Sequence, residues 1–256
     1  MEILSSSINW IVLAGAGLFA GFIDAIVGGG GLLSIPALLS VGMPAHLSLG
    51  TNKLASSMSS STAAYTYYKK HLLNPRLWKT CFAATAVGAV VGSMMVYLVD
   101  GDLLEKILPV IVILVALYSL LFKKVLHGEF NPPKYQPRTK RQIAQGLLLG
   151  GYDGFAGPGI GSMWIVSSRM LYKLSFLKSC ALSRAMTFVS NIVALSIFFY
   201  HGKVDIAVGM LLGGSMMLGS YIGAHSAIRF GLPFIRPLFV TIVIAIAIHL
   251  SWNAWT

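Results

Sequence analysis

An acid followed four residues later by a glycine cluster occurs twice in this chain, both times within strongly apolar sequence. The first copy reads Gly21-Phe22-Ile23-Asp24-Ala25-Ile26-Val27-Gly28-Gly29-Gly30 and the second Gly150-Gly151-Tyr152-Asp153-Gly154-Phe155-Ala156-Gly157-Pro158-Gly159. Glycine clusters release the backbone from a helix, and an acid in an apolar segment is costly unless it has a partner or a task there. A break of this kind, duplicated in a membrane chain, points to a binding site at the interface of two repeats.

The surrounding composition leaves no soluble alternative. Of the 256 residues 56% are hydrophobic and 11% charged, with a mean hydropathy of +0.76. Windows near the length of about 20 apolar residues needed to span a bilayer fall at 8–27, 46–68, 77–99, 103–122, 143–167, 179–200, 204–228 and 232–252. The start, Met1-Glu2-Ile3-Leu4-Ser5, lacks a basic flank, so its apolar run reads as a mature helix rather than a cleaved signal. Cys81 and Cys180 lie in apolar windows without metal spacing and read as packing residues. The net charge of +11 would suggest nucleic acid in a soluble protein; in a membrane chain, bases confined to loops report orientation.

The two halves are related throughout. Asp24 recurs as Asp153 at an offset of 129, while Lys53 recurs as Arg184 and Gly88-x-x-x-Gly92 as Gly219-x-x-x-Gly223 at an offset of 131. At the same offset Leu103-Leu104-Glu105-Lys106 aligns with Phe234-Ile235-Arg236-Pro237. A two-residue indel reconciles the offsets. The division is a first repeat over 1–122, a basic linker over 123–141 and a second repeat over 142–256.

Orientation follows from the loops. If each glycine cluster breaks the first segment of its repeat into a re-entrant or discontinuous hairpin, each copy makes an odd number of crossings and the copies are inverted. One face then carries Lys69, Lys70, Arg76, Lys79, Lys123, Lys124, Lys134, Arg138, Lys140, Arg141, Arg169, Lys173, Lys178, Arg229 and Arg236. The other face keeps only Lys106 and Lys203 and collects Glu2, Asp100, Asp102, Glu105 and Asp205. The positive-inside rule makes the basic face cytoplasmic and both termini periplasmic in a bacterial inner membrane. The expected fold is all-α: two inverted repeats, each a glycine-broken first segment followed by three transmembrane helices. Parity alone also admits five crossings per repeat.

Four ionisable residues remain at membrane depth: Asp24, Lys53, Asp153 and Arg184. Each costs roughly 2.5–3.5 kcal/mol on insertion scales if left alone near the bilayer centre. They form either structural bridges that lock each repeat, or a cavity in which the cations face an anion while the acids pin the hairpins or carry protons. Half-helices starting near Gly30 and Gly159 would aim free amides and a dipole at that cavity. The candidate substrate-binding set is Lys53, Arg184, Asn52, Gly29, Gly30, Gly31, Gly159, Gly161, Ser162 and Asn191, with Asp24 and Asp153 as coupling or hairpin-pinning groups. Ser56, Ser57, Ser59, Ser60, Ser61 and Thr62, with Thr187 and Ser190, form a polar stripe that suits either a hydrated path or hydrogen bonds between helices. The Gly-x-x-x-Gly pairs suit close helix crossing.

No cofactor or metal is expected: His46, His225 and His249 are scattered, and no Walker loop exists for ATP. An intramembrane hydrolase using Ser162 and His225 is a remote alternative, since Gly159-Ile160-Gly161-Ser162 is not a nucleophile elbow.

The run Gly21 to Gly30 continued by Gly31-Leu32-Leu33-Ser34-Ile35-Pro36, then Thr51-Asn52-Lys53-Leu54, resembles the first-repeat signature of the sulfite exporter TauE/SafE family. Tyr152-Asp153-Gly154-Phe155-Ala156-Gly157-Pro158-Gly159 resembles its second-repeat signature. The resemblance implies a bacterial inner-membrane carrier exporting sulfite, sulfoacetate or a related sulfonate. Second repeats of that family often carry lysine where Arg184 stands, and an arginine fork favours bidentate oxyanion contacts over a point charge. The resulting expectation is a non-enzymatic secondary transporter working by alternating access, with protons as a candidate coupling ion. A passive anion channel is the alternative. Partners are the small anion and the lipid bilayer, with no nucleic acid; oligomerisation is open.

Overall fold

The computed structural model describes the backbone of residues 7–121 and 138–255, and side chains within 8–118 and 138–230 apart from Ala116. The expected linker residues Lys123, Lys124 and Lys134, and Glu2 and the extreme termini, lie outside the described residues. Every regular element described is helical: α1 Ser7–Val27, α2 Gly30–Ser40, α3 Ala45–Lys69, α4 Lys79–Val96 after a 3-10 turn at Pro75–Trp78, α5 Gly101–Leu121, α6 Thr139–Phe155, α7 Ile160–Tyr172, α8 Phe176–Tyr200 and α9 Ile206–Trp255. Among the described residues four stretches are long and apolar enough to cross a bilayer, Ile8–Val27, Pro75–Val96, Phe176–Tyr200 and Ile206–Phe230.

Helix breaks fall at the two glycine clusters. Gly28 takes φ +86° and Gly157 takes φ +88°, left-handed conformations that only glycine adopts without strain. The chain reverses at each break. Leu38 and Val41 pack in one cluster with Leu13 and Trp10, so α2 runs back along α1. Gln145 on α6 donates to Ser167 at 2.7 Å and Ser168 at 3.1 Å, so α7 runs back along α6. The predicted window 143–167 is therefore two helices. In contrast, windows 204–228 and 232–252 are joined in the single helix α9, where a loop over 229–236 was expected. The bases Arg229 and Arg236 between two apolar windows suggested that loop; proline inside an apolar helix is tolerated where neighbouring groups re-satisfy the freed carbonyl. The second repeat accordingly shows two helices, α8 and α9, after its broken segment.

Charge divides the bundle lengthwise. At one end Trp78 packs edge-on against Tyr172 with ring centroids 4.9 Å apart, Arg141 donates to the Leu171 carbonyl and Gln142 to that of Leu77. The basic segments around Lys79, Arg141 and Lys173 thus share this end. At the other end the Ala45 amide donates to Glu105, the Asp205 amide to Thr51, and Tyr97 stacks on His201 at 4.1 Å. There the acids Asp100, Asp102, Glu105 and Asp205 collect. Helix α3 runs from the acidic end to the basic end, and α8 runs the opposite way.

The helix seams obey the repeat. A Cβ on Gly88 would lie 2.5 Å from the Leu147 carbonyl oxygen, and one on Gly92 would lie 1.9 Å from that of Gly151. On the related seam a Cβ on Gly219 would lie 1.9 Å from the Leu18 oxygen, and one on Gly223 would lie 2.4 Å from that of Phe22. Helix α4 of the first repeat thus packs on α6 of the second, while α9 packs on α1. These glycines permit close backbone approach, as the Gly-x-x-x-Gly spacing predicts.

Candidate functional site

Four buried charges pair between the two motif-bearing parts of the chain; a fifth charge, Arg169, expected in a loop, lies on α7 at 1% exposure. Arg184 Nη1 on α8 lies 2.6 Å from Asp24 Oδ2 on α1, and Lys53 Nζ on α3 lies 2.9 Å from Asp153 Oδ1 on α6. This corrects the reading in which each bridge locks its own repeat. Sequence offset relates Asp24 to Asp153 and Lys53 to Arg184 but is silent on which acid meets which cation; that depends on how the repeats interleave. All four are buried, Arg184 at 0%, Lys53 and Asp153 at 1% and Asp24 at 7% exposure. Such charges persist at membrane depth only when paired.

The glycine breaks bring the pairs together. The Gly30 amide, first of α2, donates to Asp24 Oδ1 at 3.1 Å, so this half-helix N-terminus already holds an anion, the chain's own carboxylate. This bond spans the break between α1 and α2. Asp153 is held differently: Lys53 donates to both its carboxylate and its main-chain oxygen, and Ser190 donates to Oδ2. The hairpin tips touch. A Cβ on Gly28 would lie 2.2 Å from the Gly161 Cα and 2.6 Å from Arg184 Nη2, and one on Gly161 would lie 1.7 Å from that same nitrogen. A Cβ on Gly31 would meet Pro158 at 3.3 Å, and one on Gly157 would meet Lys53 Nζ at 2.9 Å. Each cation is therefore seated in a gap that only glycine leaves open.

Several other predicted residues join this seam. Asn52 Oδ1 accepts from Ser34 of α2 at 2.6 Å, tying the first hairpin to α3. Gly29 caps α2 and Gly159 caps α7 with φ +66°. Asn191 follows Ser190 on α8 and is 2% exposed. Ser162 Oγ donates to the Gly159 carbonyl at 2.7 Å. His225, its partner in the hydrolase alternative, is instead exposed on α9, its Nδ1 donating to the Tyr221 carbonyl. Among the described residues no group of three His, Cys, Asp or Glu is arranged to hold a metal ion.

The polar stripe divides, with Ser190 bonding across helices to Asp153 and most of the α3 hydroxyls bonding within their own helix. Ser57, Ser60, Ser61, Thr62 and Thr66 donate mainly to carbonyls three or four residues back on α3, which satisfies hydroxyls within their own helix. Ser183 was missed by sequence reasoning: it donates to the Gly161 carbonyl at 3.0 Å and lies 2.9 Å from Arg184 Nη2. Its position directly before the cation was the available signal. A cleft of about 810 Å³ opens at the basic end between α3 and α9, lined by Ser61, Thr62, Tyr65, Lys69, Tyr221 and His225 among others. Thr62 is nine residues beyond Lys53, roughly half a turn round the helix at 3.6 residues per turn, so this cleft lies on the opposite face from the ion pairs.

An all-helical bundle with apolar spans, helices broken at two glycine clusters and charges buried in pairs belongs to a multi-pass membrane protein of the transporter class. Residues 13–250 match the sulfite exporter TauE/SafE family, and the chain belongs to it. It is 36% identical over 235 residues to a probable membrane transporter protein, ORF9, of Sinorhizobium sp, covering 92% of this chain and 89% of that one. It is 33% identical over 243 residues to the probable membrane transporter protein YfcA of Escherichia coli K12, covering 95% and 90%. A probable membrane transporter protein of Haemophilus influenzae is 33% identical over 236 residues. No solved structure matches.

Proposed function

We propose that this protein is a secondary-active carrier exporting a small sulfur-containing oxyanion, such as sulfite or sulfoacetate, from cytoplasm to periplasm by alternating access. The observation that carries this reading is the crossed pairing of Asp24 with Arg184 and of Lys53 with Asp153. Each bridge joins one repeat to the other, so exchanging the carboxylate for a substrate oxyanion would loosen the contact between the halves. Binding would then be tied to movement. Protonation of either acid would free the same cation, which is how protons would couple to transport.

The two repeats are read as inverted, with re-entrant hairpins α1–α2 and α6–α7. The opposite directions of α3 and α8, and the matched seams of α4 on α6 and α9 on α1, support this. The basic end is read as cytoplasmic by the positive-inside rule. Complete burial of Lys53 and Arg184 favours a carrier in a closed state over a pore. Candidate ligands are Lys53, Arg184, Asn52, Gly29, Gly30, Gly31, Gly159, Gly161, Ser162 and Asn191, with Asp24 and Asp153 as their internal competitors.

The test is thermal stability of the purified protein against a panel of small anions, with Lys53→Ala and Arg184→Ala in parallel. A ligand at 100 times its Kd stabilises by about 2.7 kcal/mol. Stabilisation by sulfite or a short sulfonate that either substitution abolishes supports the reading. Variants that melt earlier, in a protein that no anion stabilises, would leave the pairs as structural bridges alone.

A further inference from the structure

The four charges obey the repeat symmetry, but the polar atoms around them do not. Around Lys53 and Asp153 the three charged atoms are all hydrogen-bonded: Lys53 Nζ donates twice, and Asp153 Oδ1 and Oδ2 accept from Lys53 and Ser190. Around Arg184 they are not. Arg184 Nε has no hydrogen-bond partner, and Nη1 faces Asp24 at 2.6 Å without an aligned bond. Thr187 Oγ1, one turn further along α8 and 3% exposed, also lacks a partner. So does Ser59 Oγ on α3, at 0% exposure.

The repeat relation shows how specific this difference is. At the offset of 131, Ser59 stands where the second repeat has Ser190, which is bonded to Asp153. Thr187 stands where the first repeat has Ser56, whose hydroxyl reaches Asn52 Oδ1 at 3.5 Å. Buried groups that lack partners are costly in protein interiors and more so at membrane depth. Four such atoms belong to Arg184, to Thr187 one turn along α8 and to Ser59, the counterpart of the Ser190 that holds Asp153. Their chemistry is also selective: an arginine Nε only donates, and serine and threonine hydroxyls can donate. Three donors suit a ligand that presents several acceptor oxygens, the geometry of a sulfite or sulfonate group.

We infer that the two half-sites are unequal: the Arg184 half, with Ser59 and Thr187, receives the oxyanion in this conformation, while the Lys53–Asp153 half stays closed. This rests on the carrier reading above. It adds Ser59 and Thr187 as ligand residues, absent from the set read from the sequence. The anion exchanges with Asp24 at the guanidinium, and its remaining oxygens take the two hydroxyls. Lys53 is held by two bonds to Asp153 and makes no contact with the anion until the carrier changes state.

The experiment measures the Kd of sulfite and of sulfoacetate for the purified full-length protein by calorimetry, with melting temperature as a second readout. The variants are Ser59→Ala, Thr187→Val and the repeat counterpart of the latter, Ser56→Ala. The expected result is a Kd raised five-fold or more by Ser59→Ala and by Thr187→Val, and changed less than two-fold by Ser56→Ala. An equal or larger effect of Ser56→Ala overturns the inference while leaving the carrier reading intact. So does a higher melting temperature with unchanged Kd in Ser59→Ala and Thr187→Val, which would mark their hydroxyls as merely unpaired. Wild type that binds neither anion overturns the carrier reading and this inference with it.

Discussion

Asp24 lies in the first glycine hairpin and Arg184 on the helix after the second, 160 residues on (184 − 24), yet their side chains meet at 2.6 Å. The same exchange, reversed, joins Lys53 to Asp153 at 2.9 Å. Each glycine motif supplies the acid for a cation carried by the helix that follows the other motif. The bundle's halves are therefore held by two bridges at the place where both hairpin tips meet.

Removing one partner leaves a buried charge uncompensated. Asp24→Asn is expected to destabilise the protein by about 3–5 kcal/mol, and pairing it with Arg184→Met to restore much of that loss. Chemical or thermal unfolding in detergent measures both. A folded Asp24→Asn protein that has lost only the pH dependence of transport would instead assign Asp24 the proton-coupling role.

The seam glycines make a separate prediction. Gly92→Ala and Gly219→Ala each place a Cβ 1.9 Å from a carbonyl oxygen of the facing helix, and are expected to cost about 1–3 kcal/mol through forced backbone shifts. Gly214, with nothing within 4 Å of its Cβ position, is the control. Comparable melting of all three variants would contradict the close crossing of α4 on α6 and α9 on α1.

Much of this arrangement is legible in the residues, and the part that is not has a clear cause. Gly28 and Gly157 mark the breaks because no other residue tolerates the backbone they require. Asp24, Lys53, Asp153 and Arg184 stand out because charge is rare in apolar windows. The loop bases sort to one end because charged loops follow orientation. Partner choice is different: whether Asp24 meets Lys53 or Arg184 depends on how two hairpins interleave, and no local pattern encodes that. The continuity of α9 was hidden by Arg229 and Arg236, which read as a basic loop between two apolar windows. The serines of α3 suited either a path or bonds between helices, and their bonds to their own helix depend on rotamers that sequence does not carry.

Orientation is testable by labelling. Lys70→Cys at the basic end is expected to resist a membrane-impermeant maleimide in intact cells and to react once the membrane is opened. Asp102→Cys at the acidic end is expected to react from outside. Native Cys81 and Cys180 are both fully buried, so wild type serves as the unlabelled reference. The reverse pattern would place the basic end outside the cytoplasm.

Arg184→Lys keeps the charge opposite Asp24 but replaces a five-donor fork with a point charge. The expected result is a folded protein whose affinity for the substrate oxyanion falls about tenfold, a loss of ~1.4 kcal/mol. Titration by calorimetry reads it, and unchanged affinity would remove the fork from recognition.

The central claim is that the crossed pairs guard an oxyanion site that opens to one side at a time, and counterflow in proteoliposomes tests it most directly. Vesicles loaded with unlabelled sulfite or sulfoacetate should draw in labelled anion against its gradient with wild-type protein, and should fail to do so with folded Arg184→Gln. Uptake that merely equilibrates, or counterflow undiminished in Arg184→Gln, would contradict the account.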